Sequence, residues 1–499
     1  MTTADIAAED TETAESATQS IGRQATRGLK WSLAGTLLNK AGSFALGLAL
    51  ARLLAPADFG VFAVAFATMQ LVMVINDVGL IAATVQWRGE LEEISATATT
   101  MAIAFSAVIY LGFWLAAPVI AEVSAVPQAT GVIRLLTVVI LIDGATAVRS
   151  AALMRTFRQD KLIQANLVGM LVNAAVAIAL AVSGAGAYAF AGGLVAGTAI
   201  TGVLVFVWTA LPLRIGFDRA IARKLLAFGL PLAASLGVEA ILINAAYIIV
   251  GHITGATELG YYLLAFNIST WALSILSTAV RYVSVAGFSR LSEVDTETLS
   301  AGVQASLPIL VTVLVPVAVL MAILANPLIA VLYGVKWSAA APVLPFLMVL
   351  TVVRVLTGFA LDILIGSGAT KAALRLYLIW ATALIPVLLL ATDRGGIAGA
   401  AIAQAAAAVL VALPTTIIAL HRLGVRLRPV LPKLVRPVLG GLLAGVLAWL
   451  ATHFLGVPLV ALLVGGIAGL IAYAVTAVDL SQVRRMLRPA SGKEAHAAE

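Results

Sequence analysis

The sequence predicts an all-α polytopic membrane protein, and three observations carry that prediction. Hydrophobic residues make up 62% of the 499 positions and charged residues only 11%, whereas an average soluble domain has about 25% charged residues. Apolar runs of at least about 18 residues, each long enough to cross a bilayer as a helix, follow one another along nearly the whole chain. The links between these runs are short. A soluble packed domain is therefore excluded.

Fourteen membrane-spanning helices are expected from these apolar runs. They lie at about 31–54, 59–84, 97–120, 130–152, 162–183, 187–211, 226–250, 259–285, 302–325, 341–365, 373–392, 396–420, 434–454 and 457–478. The last two spans are rich in Gly and Ala, which suits close packing of membrane helices. A groove that faces the lipid stays open as an alternative role for them.

Basic residues predict the orientation of the spans. If the N-terminus is cytoplasmic, the outward links carry only Arg52, Lys336 and Arg394, whereas the inward links and the two tails carry twenty-four Lys and Arg residues. Lys and Arg accumulate on the cytoplasmic side of a membrane protein, so both termini are predicted to be cytoplasmic. The polar, acidic residues 1–20 lack the basic start and apolar core of a signal peptide.

A repeated segment predicts that the chain is built from two parallel halves. ADFGVFAVAF at 57–66 and TELGYYLLAF at 257–266 have the same order of residue types, and Gly60, Ala65 and Phe66 recur 200 positions later. The copies begin spans two and eight, so they enter the membrane in the same direction. Transporters built from parallel repeats bind near the midplane and rock their halves around a cleft.

The repeat predicts seven consecutive segments. They are a disordered cytoplasmic tail (1–28), a six-helix N-terminal half (29–211), a cytoplasmic amphipathic link (212–225), a six-helix C-terminal half (226–420), a basic cytoplasmic link (421–433), two additional transmembrane helices (434–478) and a cytoplasmic tail (479–499). The two halves are expected to enclose a central cleft.

Ionisable side chains inside the spans predict where this cleft lies. A charge at the bilayer centre costs about 2.5–3.5 kcal/mol, so such residues normally face a protein interior or water. The candidates are Lys40, Arg134, Arg281 and Arg354 for substrate contact; Asp77, Asp143, Glu239 and Asp362 for ion coupling or as counterions; and Asn39, Asn173, Asn244 and Asn267 for the polar lining. Structural pairs that only lock helices, Lys40 with Asp143 and Arg354 with Glu239, stay open as the alternative.

Other chemistries find no support in the sequence. There is no cysteine, and therefore no disulfide, thiolate chemistry or cysteine-based metal site. No P-loop, H-E-x-x-H or G-x-S-x-G pattern occurs, and the four histidines are scattered. We predict no catalytic residue, no metal and no cofactor. Because the positive charge follows the topology, no nucleic-acid partner is expected.

Residues 50–86 carry a family resemblance. The stretch reads LARLLAPADFGVFAVAFATMQLVMVINDVGLIAATVQ and resembles the second-span signature of bacterial polysaccharide-biosynthesis flippases: L-L-x-P-x-D-F-G, an apolar helix, a D-x-G-L element and a small-residue run that ends in Gln. Residues 28–50, GLKWSLAGTLLNKAGSFALGLAL, are similar to the family's opening. The superfamily also contains the multidrug exporters.

The resemblance implies a flippase that moves undecaprenyl-pyrophosphate-linked oligosaccharide units from the inner to the outer leaflet of the bacterial cytoplasmic membrane by alternating access. The product would serve surface polysaccharide or exopolysaccharide synthesis, including lipopolysaccharide. The implied partners are the lipid-linked oligosaccharide and membrane lipids, with a polysaccharide polymerase and other assembly proteins as further partners.

Three alternative functions agree less well with the same residues than a flippase does. A cation-coupled small-molecule exporter would favour an acidic cleft, but the deepest charges are two basic and two acidic residues. A membrane-embedded glycosyltransferase or glycan polymerase would need a sizeable outward loop with carboxylates. In a scaffold that does not transport, charges inside the spans would cost folding free energy and serve no function. We therefore expect a transporter and not an enzyme.

Overall fold

The computed structural model describes residues 35–76, 91–156, 158–209, 211, 216–225, 244–271, 273, 296–367 and 369–477. Within these ranges every regular element is a helix and none is a strand, so the all-α prediction is confirmed. The chain divides into two compact units between Leu263 and Leu264.

The first unit holds the helices of the predicted N-terminal half, a short helix of the predicted link, the end of span seven and the start of span eight. In chain order they are α1 (35–53), α2 (Pro56–Asn76), α3 (Leu91–Val123), α4 (Ala129–Leu136), α5 (Val138–Arg155), α6 (Gln159–Val182), α7 (Tyr188–Trp208), α8 (219–225) and α9 (244–271), whose last residues belong to the second unit. Helix α6 packs along α7, and α3 packs on α5.

The second unit continues with helices of the C-terminal part. They are α10 (Thr296–Ile323), α11 (Ala325–Leu332), a 3-10 helix (Val335–Ala340), α12 (Leu344–Gly366), α13 (Thr370–Ala407), a π-helical turn (Ala408–Ala412), α14 (Leu413–Arg422), a 3-10 turn (Arg428–Val430), α15 (Leu431–Phe454) and α16 (Pro458–Ala477). A Cβ at Gly445 of α15 would lie 3.0 Å from Val319 of α10. The absence of a side chain at Gly445 therefore allows α10 to approach α15 closely.

Ten helical stretches of the described residues are long and apolar enough to cross a membrane, which confirms a multi-pass membrane protein. One of them, Leu374–Arg422, covers two predicted spans. Gly396, with φ 56° and ψ −143°, interrupts the helix next to the predicted link between them. The count of fourteen stays a prediction, because parts of six predicted spans lie outside the described residues.

The predicted fourth span is divided into two helices. Thr137 separates α4 from α5, and its hydroxyl donates a hydrogen bond to the carbonyl oxygen of Arg134 at 3.0 Å. Hydroxyl groups that bond to the preceding turn compete with the regular helix and often bend it. As a result Arg134 and Asp143, which the sequence places on one span, lie on different helices.

The two copies of the repeated segment cross at their glycines. A Cβ on Gly60 of α2 would overlap the carbonyl oxygen of Ala256 in α9, and a Cβ on Gly260 of α9 would overlap the carbonyl oxygen of Pro56. Gly255, within α9, has φ +81°, a conformation that glycine adopts without steric cost. This contact joins the start of span eight to the first unit.

Candidate functional site

A polar cavity of about 460 Å³ lies within the first unit. Its polar lining comes from Asn39 and Ser43 of α1, Asp143, Thr146 and Ser150 of α5, Asn166 and Asn173 of α6, and Thr198 and Thr201 of α7. We call it the N-terminal polar cavity. Three residues predicted from the sequence, Asn39, Asp143 and Asn173, meet in it.

Close helix contacts hold α1 and α7 against α6 around this cavity. A Cβ on Gly35 would overlap the side chain of Ile163, and one on Gly42 would overlap Met170, seven residues further along α6. On the other side of α6, the Thr201 hydroxyl donates to the carbonyl oxygen of Ala165 at 3.2 Å. Small residues permit such approach between membrane helices, and they bring Asn39 into the cavity.

Asp143 is tied to two other helices by hydrogen bonds. The amide nitrogen of Asn76 in α2 donates to Oδ2 of Asp143 at 3.3 Å, and the hydroxyl of Ser106 in α3 donates to the Asn76 amide oxygen at 2.7 Å. Asn76 is 8% exposed and Ser106 is 1% exposed. The Asp143 carboxylate is therefore oriented by a buried chain of polar groups.

The hydroxyl groups of the cavity were missed by the sequence reasoning. Thr146 also donates to the carbonyl oxygen of Ile142 at 2.9 Å, as most Ser and Thr residues in membrane helices do. An isolated Ser or Thr in an apolar run therefore gives no sign of facing a cavity. The glycines of α6 and α7 offer the better signal, since they mark where helices approach closely.

Lys40 and Arg134 have different settings. Lys40 is half-buried and follows Asn39, so it lies on a neighbouring face of α1, about 100° away. Arg134 lies against α3: its Nε donates to the carbonyl oxygen of Trp114 at 3.2 Å, and its guanidinium carbon is 4.1 Å from the Trp114 ring centroid. Helix α4 does not contribute to the lining of the N-terminal polar cavity.

Arg354 and Asp362 share one face of α12 in the second unit. Gly358 lies between them, and a Cβ there would meet no atom of the described chain within 4 Å. Both charged residues are half-buried. We call Arg354, Gly358 and Asp362 the Arg354 face.

Helix α9 meets α12 beside the Arg354 face. The guanidinium carbon of Arg354 is 5.7 Å from the ring centroid of Phe266, and the next residue, Asn267, is exposed. One turn before Arg354, the Thr351 hydroxyl donates to the buried Ser269 hydroxyl at 3.2 Å. These contacts fix the position of Arg354 along α12 relative to Asn267 on α9.

The remaining predicted site residues divide into two groups. Asn244 is buried at 5% exposure in α9. Asp77, Glu239 and Arg281 lie outside the described residues, so their proposed roles stay predictions. The described part of the chain thus offers a polar cavity in one unit and, in the other, a helix face that carries one arginine and one aspartate.

Comparison with known proteins gives a consistent family match. A family model described as "Polysaccharide biosynthesis protein" matches residues 49–342. The chain is 25% identical over 330 residues to the succinoglycan biosynthesis transport protein ExoT of Rhizobium meliloti (strain 1021), over 64% of this chain and 65% of that protein. It is 24% identical over 351 residues to the lipopolysaccharide biosynthesis protein WzxC of Escherichia coli (strain K12), over 67% and 68%. The chain thus spans about two thirds of the length of these relatives.

Solved structures show the same fold at low sequence identity. The lipid II flippase MurJ in an inward closed conformation matches with a TM-score of 0.75 at 12% identity, over 92% of this chain and all of that one (100%). A multidrug resistance transporter of the MATE family in an inward-facing conformation matches with a TM-score of 0.62 at 15% identity, over 77% and 94%. The shared architecture is that of an all-α polytopic membrane protein.

Proposed function

The chain belongs to the polysaccharide biosynthesis protein family, and from that premise we propose that it is a flippase for lipid-linked oligosaccharides in a bacterial cytoplasmic membrane. One relative is named as a transport protein of succinoglycan biosynthesis and the other as a lipopolysaccharide biosynthesis protein. The fold is shared with a lipid II flippase. These names combine glycan synthesis with passage across a membrane, which is the work of a flippase.

The N-terminal polar cavity is the observation that carries this proposal. It is surrounded by helices that are otherwise apolar, yet amide groups, hydroxyl groups and the Asp143 carboxylate line it. Sugar hydroxyl groups need such partners, because burying one without a hydrogen bond costs roughly 2–7 kcal/mol. The cavity volume of about 460 Å³ falls in the range of roughly 300–1,000 Å³ that small-molecule sites have. It suits the sugar end of the substrate.

The linking group we propose is undecaprenyl pyrophosphate, because cationic side chains lie inside the spans. Arg354 lies on α12, and Lys40 follows the cavity residue Asn39 in α1. An arginine can donate two parallel hydrogen bonds to one phosphate, while a lysine supplies a point charge. Arg134 and Arg281 are proposed as further contacts. The polyprenyl tail would stay in the lipid.

Alternating access of the two halves is the mechanism we propose. Because the cytoplasm is negative, each negative charge of the substrate that moves outward gains about 2.3 kcal/mol per 100 mV of membrane potential. Inward movement of a proton or sodium ion at Asp143 or Glu239 would add to this driving force. Asp77 and Asp362 are proposed as counterions. Polymerase and assembly proteins would receive the product on the outer side.

A second function is favoured by the carboxylate in the cavity. Asp143 would attract a cation, and a small-molecule exporter coupled to cations needs such a group near its binding site. The structural match to a MATE-family transporter supports the fold of such an exporter. Export of cationic dyes by cells that carry the protein would favour this function over a flippase.

Transport of a fluorescent undecaprenyl-pyrophosphate-linked oligosaccharide in proteoliposomes tests the first proposal. We expect the wild-type protein to deliver the labelled glycan to the opposite leaflet, where an impermeant quencher reaches it. Lys40→Gln and Arg354→Gln should each lower the rate by about tenfold or more, since a hydrogen bond to a charged group contributes roughly 1.5–3 kcal/mol.

Arg223→Gln is the matched control, because Arg223 is an exposed arginine of α8 outside both proposed sites. Its rate should equal that of the wild type. Wild-type vesicles without flipping would sink the flippase proposal. Normal flipping by both Lys40→Gln and Arg354→Gln would remove only the cationic contacts.

A further inference from the structure

A second, mostly apolar cavity of about 890 Å³ lies within the second unit. Its walls are hydrophobic side chains of α10, α12, α14 and the start of α15, among them Leu307, Phe359, Ile417 and Leu434. Arg426 and Arg428, on the loop between α14 and α15, also border it. We call it the basic-rimmed groove.

The interior of the groove offers little to a polar ligand. Thr416 lies in its wall, but its hydroxyl donates to the carbonyl oxygen of Ala412 at 2.7 Å and the side chain is 3% exposed. The hydroxyl is therefore already satisfied by its own helix. Apolar cavities of this kind stay dry and accept apolar ligands. A hydrocarbon chain fits this interior.

The rim of the groove is held in place by α10. The backbone N–H of Arg426 donates to the Ser300 hydroxyl at 3.0 Å, and the Gln304 amide donates to the Arg426 carbonyl oxygen at 2.9 Å. Lys433 donates from Nζ to the carbonyl oxygen of Gln304 at 3.3 Å. The loop that carries the two arginines is thus fixed before any ligand binds, which lowers the entropy cost of binding.

The charge on the loop side of this rim has one sign. Arg422, Arg426, Arg428 and Lys433 are all exposed. From Arg394 to Val478 the sequence contains no Asp or Glu. An anionic group at the mouth would therefore meet cations on both ends of the loop. Basic pockets between membrane helices on the cytoplasmic side are typical sites for anionic lipid headgroups.

The groove faces away from the proposed substrate contacts. Leu356, Phe359 and Ala360 of α12 line it. Successive residues of an α-helix are about 100° apart around its axis, so these three residues lie on average roughly 150° around the axis from the Arg354 face. The groove is therefore on the back of α12. A ligand in it would contact the helix that carries Arg354 without contacting the Arg354 face.

We propose that the basic-rimmed groove binds one anionic phospholipid, with an acyl chain between α10, α12 and α14 and the phosphate at Arg426 and Arg428. Charge complementarity at the rim and the apolar interior together select this class of ligand. The site is separate from the substrate contacts, so it can be tested without any transport measurement.

Native mass spectrometry of the full-length protein with added lipid tests the site. We expect one phosphatidylglycerol to bind more tightly than phosphatidylcholine of the same chains. Arg426→Gln with Arg428→Gln should weaken phosphatidylglycerol binding by about tenfold or more and leave phosphatidylcholine binding unchanged. Arg219→Gln with Arg223→Gln, a pair of exposed arginines on α8, is the charge-matched control and should bind like the wild type.

Photo-crosslinking of the wild-type protein avoids reliance on variants that fail to fold. Phosphatidylglycerol with a diazirine on one acyl chain should label residues of α14 and the start of α15 in preference to α16. Equal affinity for the two lipids, or dominant labelling elsewhere, would overturn the proposal. So would displacement of phosphatidylglycerol by equimolar undecaprenyl phosphate, because the groove would then belong to the carrier lipid. Competition by inorganic phosphate alone would show that the acyl chain is not recognised, which also contradicts the proposal.

Discussion

Gly60 and Gly260 face each other where α2 crosses α9, and a Cβ on Gly260 would lie 3.2 Å from the backbone nitrogen of Gly60. The two residues occupy the same position in the repeated segment, and each requires the absence of a side chain for the same reason. Backbones approach this closely in membranes only where small residues meet. The repeat therefore preserves a contact between its own copies.

Gly60→Ala and Gly260→Ala should each destabilise the protein. The added methyl group would overlap a backbone carbonyl oxygen of the other helix, and such overpacking costs typically about 1–3 kcal/mol. The double variant should lose less than twice as much, because both changes push apart one contact. Unfolding in mixed micelles by SDS titration measures the free energies.

Gly47→Ala is the control for this comparison. Gly47 lies in α1, and a Cβ there would meet no atom of the described chain within 4 Å. Its free energy of unfolding should equal or exceed that of the wild type, since alanine favours a helix over glycine by about 1 kcal/mol. If Gly60→Ala were as stable as Gly47→Ala, the close crossing of α2 and α9 would be wrong.

Asn76→Ala, beside the N-terminal polar cavity, should lower the free energy of unfolding of the protein. The change leaves the buried Ser106 hydroxyl without its acceptor and removes the donor to Asp143. A buried polar group that loses its partner costs about 1–3 kcal/mol. Asn166→Ala serves as the control, because Asn166 lines the same cavity but is exposed. The same SDS titration should separate the two variants by at least about 1 kcal/mol.

Arg149→Ala should be among the more damaging changes in α5. Arg149 is 1% exposed; it donates from Nη2 to the carbonyl oxygen of Leu211 at 3.0 Å, and its guanidinium carbon is 3.8 Å from the Phe206 ring centroid. A charged hydrogen bond and a cation–π contact together contribute about 2–4 kcal/mol.

Arg149→Lys separates stacking from charge. A lysine keeps the charge but lacks the planar group that lies on an aromatic ring, so it should recover less than half of the stability lost in Arg149→Ala. Arg223→Ala, at an exposed position, should leave the free energy of unfolding within about 0.5 kcal/mol of the wild type. Full recovery by lysine would show that charge alone matters there.

Particular residues show how far the sequence could predict this molecule. Apolar runs predicted the helices, since length and hydropathy suffice to identify a span. The repeat singled out Gly60 and Gly260, but a pattern along the chain does not tell that the two glycines touch. The direction in which a side chain points was not predictable from the sequence.

Arg134 and Thr137 illustrate that second limit. Thr137 in an apolar run carries no sign that it will divide a helix, and Arg134, on the first of the two helices, bonds to Trp114 in α3. For a similar reason, the sequence did not predict that Ser43 and Thr201 would line the cavity. Short hydroxyl side chains are common in membrane helices, and only tertiary packing decides which of them face a cavity.

Asp143→Asn should separate coupling from structure. The replacement amide oxygen can still accept the hydrogen bond from Asn76, so the free energy of unfolding should change by less than about 1 kcal/mol. The carboxylate charge, which a proton or sodium ion would need, is lost. In the proteoliposome assay an inward proton or sodium gradient should accelerate the wild-type protein but leave Asp143→Asn unchanged. If the variant kept its full response to both gradients, Asp143 would be a structural acceptor and not the coupling site.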